Sequence, residues 1–560
     1  MNATAATRQL FVLGFALFIG ACGGGGGGGS AGTTMPPPPP PPPPAVDPQH
    51  LASAPTPFAA GCDGPAQNGT IYANAEVEPY LALNPLNPQN LAAVWQQDRW
   101  SNGGARGIVA GTSFDGGTTW TRRSLPFTRC AGGNAANGGD YERASNPWIA
   151  FATDGTAHQL ALAFSGLALQ AGSVSAVVAS RSADGGVTWS GTATLIRDEA
   201  DFFSDKGAIT ADPADARRIY AVWDRLSTSG FGPTYLARTL DGGASWEAAR
   251  PIYDPGLNNQ TIGNVLVVLP NGTLVTLFTE LDGTTNGGFT ALLAVIRSDD
   301  DGLTWSAPFR IASLLTVGTR DPGTGAPIRD SALLGEIAVG FGGNLFVVWQ
   351  DSRFSNGAHD GIAISRSADG GITWSAPVRA NADAIVPAFS PFVHVRADGV
   401  IGVTYYDLRS NTSDPATLLT DYWLARSVDG TAWQETRIAA PFDLVLAPLT
   451  NAPGTGGYFL GDYQGLVSVG TLFVPLFART NAGDLSNRTD IYAAPAISAD
   501  AGASALMLEQ KAMPRAQVAE AFEASPELRQ RVHDNIVRSM EARVPGWHDA
   551  VLRRLQEPRR

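Results

Sequence analysis

One eight-residue pattern dominates this chain: Ser/Thr-x-Asp-x-Gly-x-Thr/Ser-Trp. It occurs at Ser113–Trp120, Ser182–Trp189, Thr239–Trp246, Ser298–Trp305 and Ser367–Trp374, and once more, one residue short, at Ser427–Trp433. Successive copies start 69, 57, 59, 69 and 60 residues apart, the length of a four-stranded antiparallel sheet with its loops. A repeat of this period means an array of similar units that bury their faces against one another. The pattern has a local chemistry. Its Asp accepts hydrogen bonds from turn amides, its Gly permits positive φ, and its Trp packs between neighbouring strands.

The strands upstream of each copy are legible. In the fifth unit Leu345–Trp349 is a buried run, Gly361–Ser365 a second, and Ile337–Gly340 precedes both, so the order is A, B, C, pattern, D. Equivalent B strands are Leu91–Trp95, Ile219–Trp223, Thr273–Phe278 and Ile401–Tyr405. A further A-B-C set without the pattern follows at Leu460–Gly470, Leu472–Ala478 and Asp490–Ala494. This makes seven units, with six as the alternative, and Thr70–Ala75 is expected to donate the missing outer strand.

Composition agrees with an all-β chain. Of 560 residues, 64 are Gly and 39 Pro, turn-rich without a collagen period, and only 16% are charged. The net charge of -13 and the lack of Lys/Arg runs exclude a nucleic-acid partner. His158, His359 and His394 lie far apart with no HExxH pair, and read as isolated structural histidines.

The first 22 residues read as an export signal. An apolar run from Leu10 to Gly20 follows Arg8 and is too short to span a bilayer. Ile19-Gly20-Ala21-Cys22 resembles a bacterial lipobox, which implies an acylated Cys22, a membrane tether and, with Gly23 next, outer-membrane sorting in a Gram-negative host. Residues 23–50 form that tether, with seven glycines from Gly23 and nine prolines from Pro36. Cys62 and Cys130 then remain as a pair, expected to be bridged in an oxidising compartment and to stabilise the fold by roughly 4 kcal/mol in the chain-entropy model. Residues 51–497 carry the repeats, and 498–560 change character. There Ser525-Pro526-Glu527 opens a helix whose Leu528, Val532, Ile536 and Met540 share one face, expected to dock on the rim of the repeat domain.

The repeated pattern resembles the Asp boxes, or BNR repeats, of sialidases and other β-propeller proteins, over about residues 70 to 495. The resemblance implies a β-propeller of four-stranded blades, the Asp boxes on C–D turns, and function on the opposite face, where B–C and D–A loops meet. The B strands end there in Trp95-Gln-Gln-Asp98-Arg99, Trp223-Asp224-Arg225, Trp349-Gln-Asp351-Ser-Arg353 and Tyr405-Tyr406-Asp407-Leu-Arg409, and the D–A loops add Glu78, Glu142-Arg143, Asp205-Lys206 and Asp462-Tyr463.

Two readings of this charge remain open. Each Asp–Arg pair is a structural staple, or some arginines grip an anionic ligand through the guanidinium fork. Sialidases hold the sugar carboxylate with three arginines, attack with a tyrosine assisted by a glutamate, and use an aspartate as acid/base; tyrosine suits because a carboxylate nucleophile is repelled by the substrate's own carboxylate. The resemblance thus implies Arg99, Arg225, Arg353 and Arg409 as the clamp, above all Arg353 and Arg409, with Tyr406 or Tyr463 as nucleophile, Glu280 as its partner and Asp98 or Asp205 as acid. The family's Arg-Ile-Pro motif is absent, its place taken by Glu76-Val-Glu-Pro-Tyr80. Glu78 and Glu142 offer conventional acid/base hydrolysis of a neutral glycan instead, or Ca²⁺ binding with backbone carbonyls; Asp299–Asp301 reads as a solvated turn. No cofactor beyond structural Ca²⁺ is expected. The functional expectation is a monomeric, envelope-anchored glycoside hydrolase acting on terminal acidic sugars, with a non-catalytic glycan- or protein-binding domain as the alternative.

Overall fold

The computed structural model describes residues 48–64, 68–228, 232–283, 288–450, 456–495, 522–544 and 546–556. Cys22 and the Gly/Pro tether lie outside them. Among the described residues up to Ala493 the regular structure is almost entirely strand, mostly antiparallel, and helix is confined to short 3-10 turns and the C-terminal segment.

The strands pair in chain order into similar units. The first is Ile71–Leu83, Leu91–Trp100, Ala105–Ser113 and Thr121–Ser124; the second runs from Arg143–Phe151 to Ala193–Glu199. The third spans Phe202–Ala211 to Arg250–Tyr253, and the fourth Asn259–Val268 to Phe309–Ser313. Units five and six begin at Glu336–Val339 and Ala388–Val395. The last set, Gly465–Val469, Leu472–Thr480 and Thr489–Ala493, has three strands of its own. Second strands such as Leu91–Trp100 and Leu345–Asp351 are buried along their whole length, as near-continuous apolar runs must be when covered on both faces. Trp95, Trp223 and Trp349 are the largest fully buried side chains.

The missing fourth strand of the last unit comes from the N-terminus, one segment earlier than expected. His50–Leu51 pairs with Tyr492 and Ala493, and Ala52 continues with a 2.8 Å hydrogen bond to Ile491. Thr70–Ala75 instead leads into and opens the innermost strand of the first unit, touching Thr489 only through Ala75. The expectation failed because that strand is 13 residues long, and its first residues read by themselves as a separate segment.

The five full copies of the repeated pattern form the same turn. In the first copy Ser113 Oγ donates to Asp115 (2.8 Å), which also accepts from Thr118 N (3.0 Å), Thr119 N (2.8 Å) and Thr119 Oγ1 (2.6 Å). Trp120 Nε1 donates to Gly117 O at 2.9 Å, and Gly117 has φ 97°, a left-handed conformation that favours glycine. Trp120 is buried, but Trp189, Trp246, Trp305, Trp374 and Trp433 are half-buried. Cys62 and Cys130 form a disulfide.

Helix α1, Pro526–Arg543, begins as its sequence requires, with Ser525 Oγ accepting from Leu528 N at 3.2 Å. Its apolar stripe, with Trp547 and Val551 of α2 (Trp547–Gln556), is buried in the main core cluster. The pair packs on the repeat domain. Asn535 donates to Thr316 O (3.2 Å), Phe289 N to His533 Nδ1 (3.1 Å) and Trp547 Nε1 to Gln260 Oε1 (2.9 Å). Gln260 and Phe289 begin or lie near the start of strands that run toward the repeated turns, so the helices cover the opposite end. No described helix is long and apolar enough to cross a membrane.

Candidate functional site

The first strand of five units carries the same irregularity. Register slips between Val77 and Tyr80, Ser145 and Trp148, Asp205 and Ala208, Ile262 and Val265, and Phe389 and Phe392. Within each slip one residue has positive φ: Glu78, Asn146, Lys206, Gly263 and Ser390. A bulge of this kind bends the strand and re-aims a side chain, and three of these residues, Glu78, Asn146 and Lys206, meet.

Their meeting point is a buried polar cluster around Asp462. Lys206 Nζ lies 2.5 Å from Asp462 Oδ2, 3.2 Å from Glu78 Oε1 and 3.1 Å from Asn146 Oδ1. Arg329 donates to Asp462 at 2.8 and 3.3 Å, and Arg543, from the end of α1, comes within 3.7 Å. Arg329 arrives through a small sheet in which Ile328–Arg329 pairs with Gly457–Phe459 and that strand with Leu449–Thr450. Burial would push the Asp462 carboxyl up, but Arg329, Lys206 and Arg543 hold it well below the usual carboxylate range.

Beside this cluster sits a carboxyl pair. Asp205 accepts from Asn146 Nδ2 at 2.5 Å and faces Asp224 across the strands. Both carboxyl oxygens of Asp224 are buried without a hydrogen-bond partner. Burial, then the neighbouring Asp205, push its carboxyl well up, against Arg543 and Lys206. Glu336 is likewise raised by burial.

A cavity of about 190 Å³ opens over these groups. Arg99, Asn146, Asp205, Lys206, Arg329 and Arg543 line it, against an apolar wall of Leu162, Phe164 and Phe203. Arg99 lies over the Phe459 ring (4.6 Å) and donates to Gln96 Oε1 (2.7 Å) and Gly104 O (3.3 Å). No carboxylate among the described residues pairs with it, and burial with the like charge of Arg329 lowers it to about 10. The cavity therefore presents four cations, one of them, Arg99, without a directly paired carboxylate among the described residues, though Glu78 and Asp462 act on it from farther off.

The structure divides the sequence candidates. Glu78, Arg99, Asp205, Asp462 and Tyr463 come together. Tyr463 is buried among carboxyls, below Lys206 (5.7 Å), and donates to Pro147 O at 3.0 Å; burial, then Glu78 and Asp462, push its hydroxyl well up. Tyr406 does not join them: it is a core residue donating to Ala478 O (2.7 Å) and packed on Phe389 and Tyr422. Glu280 accepts from Tyr253 (2.7 Å) and partners neither tyrosine. Asp98 fastens the N-terminal segment, accepting from Thr56 Oγ1 (2.8 Å), Asn74 N (2.9 Å) and Arg106 (3.3 Å).

The expected clamp is also corrected. Arg353 is closed by Asp351 at 2.8 Å and by Ser313 O. Arg409 is closed by Asp407 (2.6 Å) and Glu435 (2.9 Å), stacked on Trp423. Arg225 is closed by Asp198 (2.5 Å), stacked on Phe202. These are staples, because a carboxylate two residues away or on the next strand reaches the guanidinium before any ligand. Arg143 lies over Trp100 and donates to Asn102 (2.7 Å) and Gly103 O, while Glu142 binds Gly166 N (3.0 Å) and faces Arg129 (3.7 Å) at the edge, not Glu78.

Sequence reasoning missed Asn146, Arg329, Glu336 and Arg543 and did not single out Asp224. A signal existed for the bulges: Glu78-Pro79, Asn146-Pro147, Lys206-Gly207 and Ser390-Pro391 put Pro or Gly inside strands, where Pro is confined to edges, first positions and bulges.

No protein-family model matches the chain. Among solved structures it is similar to a Hadza microbial sialidase (16% identity, TM-score 0.42, covering 72% of this chain and 73% of that one). It is also similar to the NanB sialidase of Streptococcus pneumoniae (10%, 0.40, 76% and 94%) and to an alpha-L-arabinofuranosidase of Fusarium graminearum (10%, 0.41, 80% and 97%). These likenesses carry no argument about chemistry, which rests on the side chains above.

Proposed function

We propose that the sheet units are the blades of a seven-bladed β-propeller whose repeated turns are Asp boxes, and that the chain is a glycoside hydrolase acting on a terminal carboxylated sugar. The observation that carries the reading is the Asp205–Asp224 pair beside a four-cation cavity. In this reading Arg99, with Arg329 and Arg543, binds the sugar carboxylate. The Asp205–Asp224 pair shares one proton, since two adjacent carboxyls do not both ionise readily, and Asp205, at the cavity wall, delivers that proton to the leaving glycosidic oxygen and is left as the carboxylate. Tyr463 is the nucleophile and Glu78 its neighbouring base. An acylated Cys22 holds the protein in the cell envelope.

A second reading, a glycan-binding propeller without turnover, is favoured by one observation: the Tyr463 hydroxyl is already engaged by Pro147 O. The test is the full chain assayed on a fluorogenic sialoside beside other aryl glycosides. The hydrolase reading expects turnover that Asp205→Asn lowers at least about 100-fold and Tyr463→Phe abolishes, with folding retained. Silence across the panel with retained binding on a glycan array selects the binder. Recovery of the wild-type protein unmodified and soluble from its host would remove the anchor.

A further inference from the structure

A larger cavity, about 920 Å³, lies between α1 and the loops after the fourth and fifth units and within the fifth and sixth, and shares no lining residue with the first. Its helical wall is Arg531, Asp534, Asn535 and Arg538, positions i, i+3, i+4 and i+7 of one helix face. The opposite stripe of α1 is buried in the core, so this face is held rigidly toward the loops. Arg320 completes a set of three guanidinium groups.

These three arginines differ from nearly all the others described above. Arg353, Arg409, Arg225, Arg329 and Arg543 each have a carboxylate within 4 Å. Arg320, Arg531 and Arg538 have none among the described residues. Arg320 donates to Gly325 O (3.1 Å) and Arg538 to Asn535 Oδ1 (2.5 Å). Burial lowers Arg538, Asp330 and Asp360 farther off oppose this, and the like charge of Arg320 adds to it. The two carboxylates on the lining are committed elsewhere: Asp321 binds Gly323 N (2.8 Å) and Thr324 in its own turn, and Asp534 accepts from Gln530 (2.8 Å). His359, Asn411 and Thr412 add hydrogen-bonding groups, and Val386, Pro387 and Leu408 an aliphatic surface.

We propose that this cavity is a second binding site, taking an acidic oligosaccharide whose spaced carboxylates meet Arg320, Arg531 and Arg538. The spacing of charge selects the class. A densely anionic ligand, such as an acidic peptide or polyphosphate, would bring charge against Asp321 and Asp534. An acidic sugar places hydroxyls between its carboxylates, which those aspartates accept, and its C–H faces suit the aliphatic wall. The volume falls within the range of small-ligand sites.

The experiment is calorimetric titration of the full chain with tetragalacturonate, maltotetraose and tetraglutamate. Tetragalacturonate should bind, more weakly as salt rises, and the neutral and peptide probes should not. Arg320→Gln and Arg531→Gln, both exposed and safe for folding, should each weaken binding about tenfold, the scale of one charge-assisted hydrogen bond. Neither should alter any turnover of a small aryl glycoside. Arg99→Gln separates the two sites: it should leave tetragalacturonate binding intact whether or not the chain proves to be a hydrolase. Unchanged affinity in both arginine variants, equal binding of maltotetraose, or preference for tetraglutamate would overturn the site.

Discussion

The two ends of each sheet unit are built on opposite plans. At the repeated turn the aspartate finds its partners within a few residues, as Asp300 does with Ser298 and Thr304. At the other end Asp462 draws Lys206, Arg329 and Arg543 from distant parts of the chain, and Asp224 finds no hydrogen bond at all. The turns are self-sufficient, and the cluster exists only when the whole fold has formed.

The largest effect should come from removing the hub of the cluster. Asp462→Asn leaves three cations around a neutral side chain, and breaking a buried ion pair costs about 3 to 5 kcal/mol; the urea midpoint should fall accordingly. A variant as stable as wild type would mean that the cations repack locally and the contrast between the ends is false. Next, Trp120→Ala should cost about 3 kcal/mol, the lower end for truncating a buried indole, with any ligand binding unchanged, because it belongs to the turn end. Its half-buried counterpart Trp305→Ala should cost less, and loss of binding without loss of stability in either would reverse the assignment of the two ends.

Asp224→Asn sharpens the comparison through pH. Burial raises this carboxyl in the fold, so the folded chain holds a proton that the unfolded one releases above about pH 4, and stability falls as pH rises through that interval by roughly 1.4 kcal/mol per pH unit at most. The variant lacks this titration. It should match or exceed wild-type stability at pH 7 in urea melts, with a flatter slope from pH 5 to 7, and parallel slopes would show that Asp224 is ionised.

The turn aspartates have the opposite sign. Asp300 is held at about 2 by the Thr304 hydroxyl and backbone N–H and by Ser298, so its contribution is present above the unfolded value near 4 and is lost as pH falls through about 2. Thr304→Val should move the acid-unfolding midpoint upward. The smallest effect is expected of Arg353→Lys, which keeps the charge of a staple; stability should change by about 1 kcal/mol or less and ligand affinity not at all.

What could be read beforehand follows the same division. The strand order, the repeated turns and the start of α1 are determined by short-range pattern: alternating or continuous apolar runs, turn chemistry, a capping serine followed by proline; the Cys62–Cys130 bridge was legible from cysteine count alone. Asp205, Glu78, Asp462, Tyr463 and Arg99 were also legible, because a repeat unit has only one end away from its turn and these residues sit there. Arg353 and Arg409 looked equally suited, yet side-chain reach to Asp351 and Asp407 closed them, and Tyr406 lies on the strand face turned to the core. Nothing in local pattern separates a tyrosine one residue out of phase from one that reaches the centre.

The sequence by itself thus determined the repeat, its period and the chemistry of each turn, since those depend on contacts within about eight residues. Only the tertiary structure decided which charges meet. Arg329 arrives through a three-stranded sheet joining distant loops, and Arg543 through a helix that follows the last strand, Thr489–Ala493, by more than 30 residues. Such groups become neighbours through packing of the whole chain, and the energy that places them lies in buried apolar faces elsewhere, not in the residues that carry the charge.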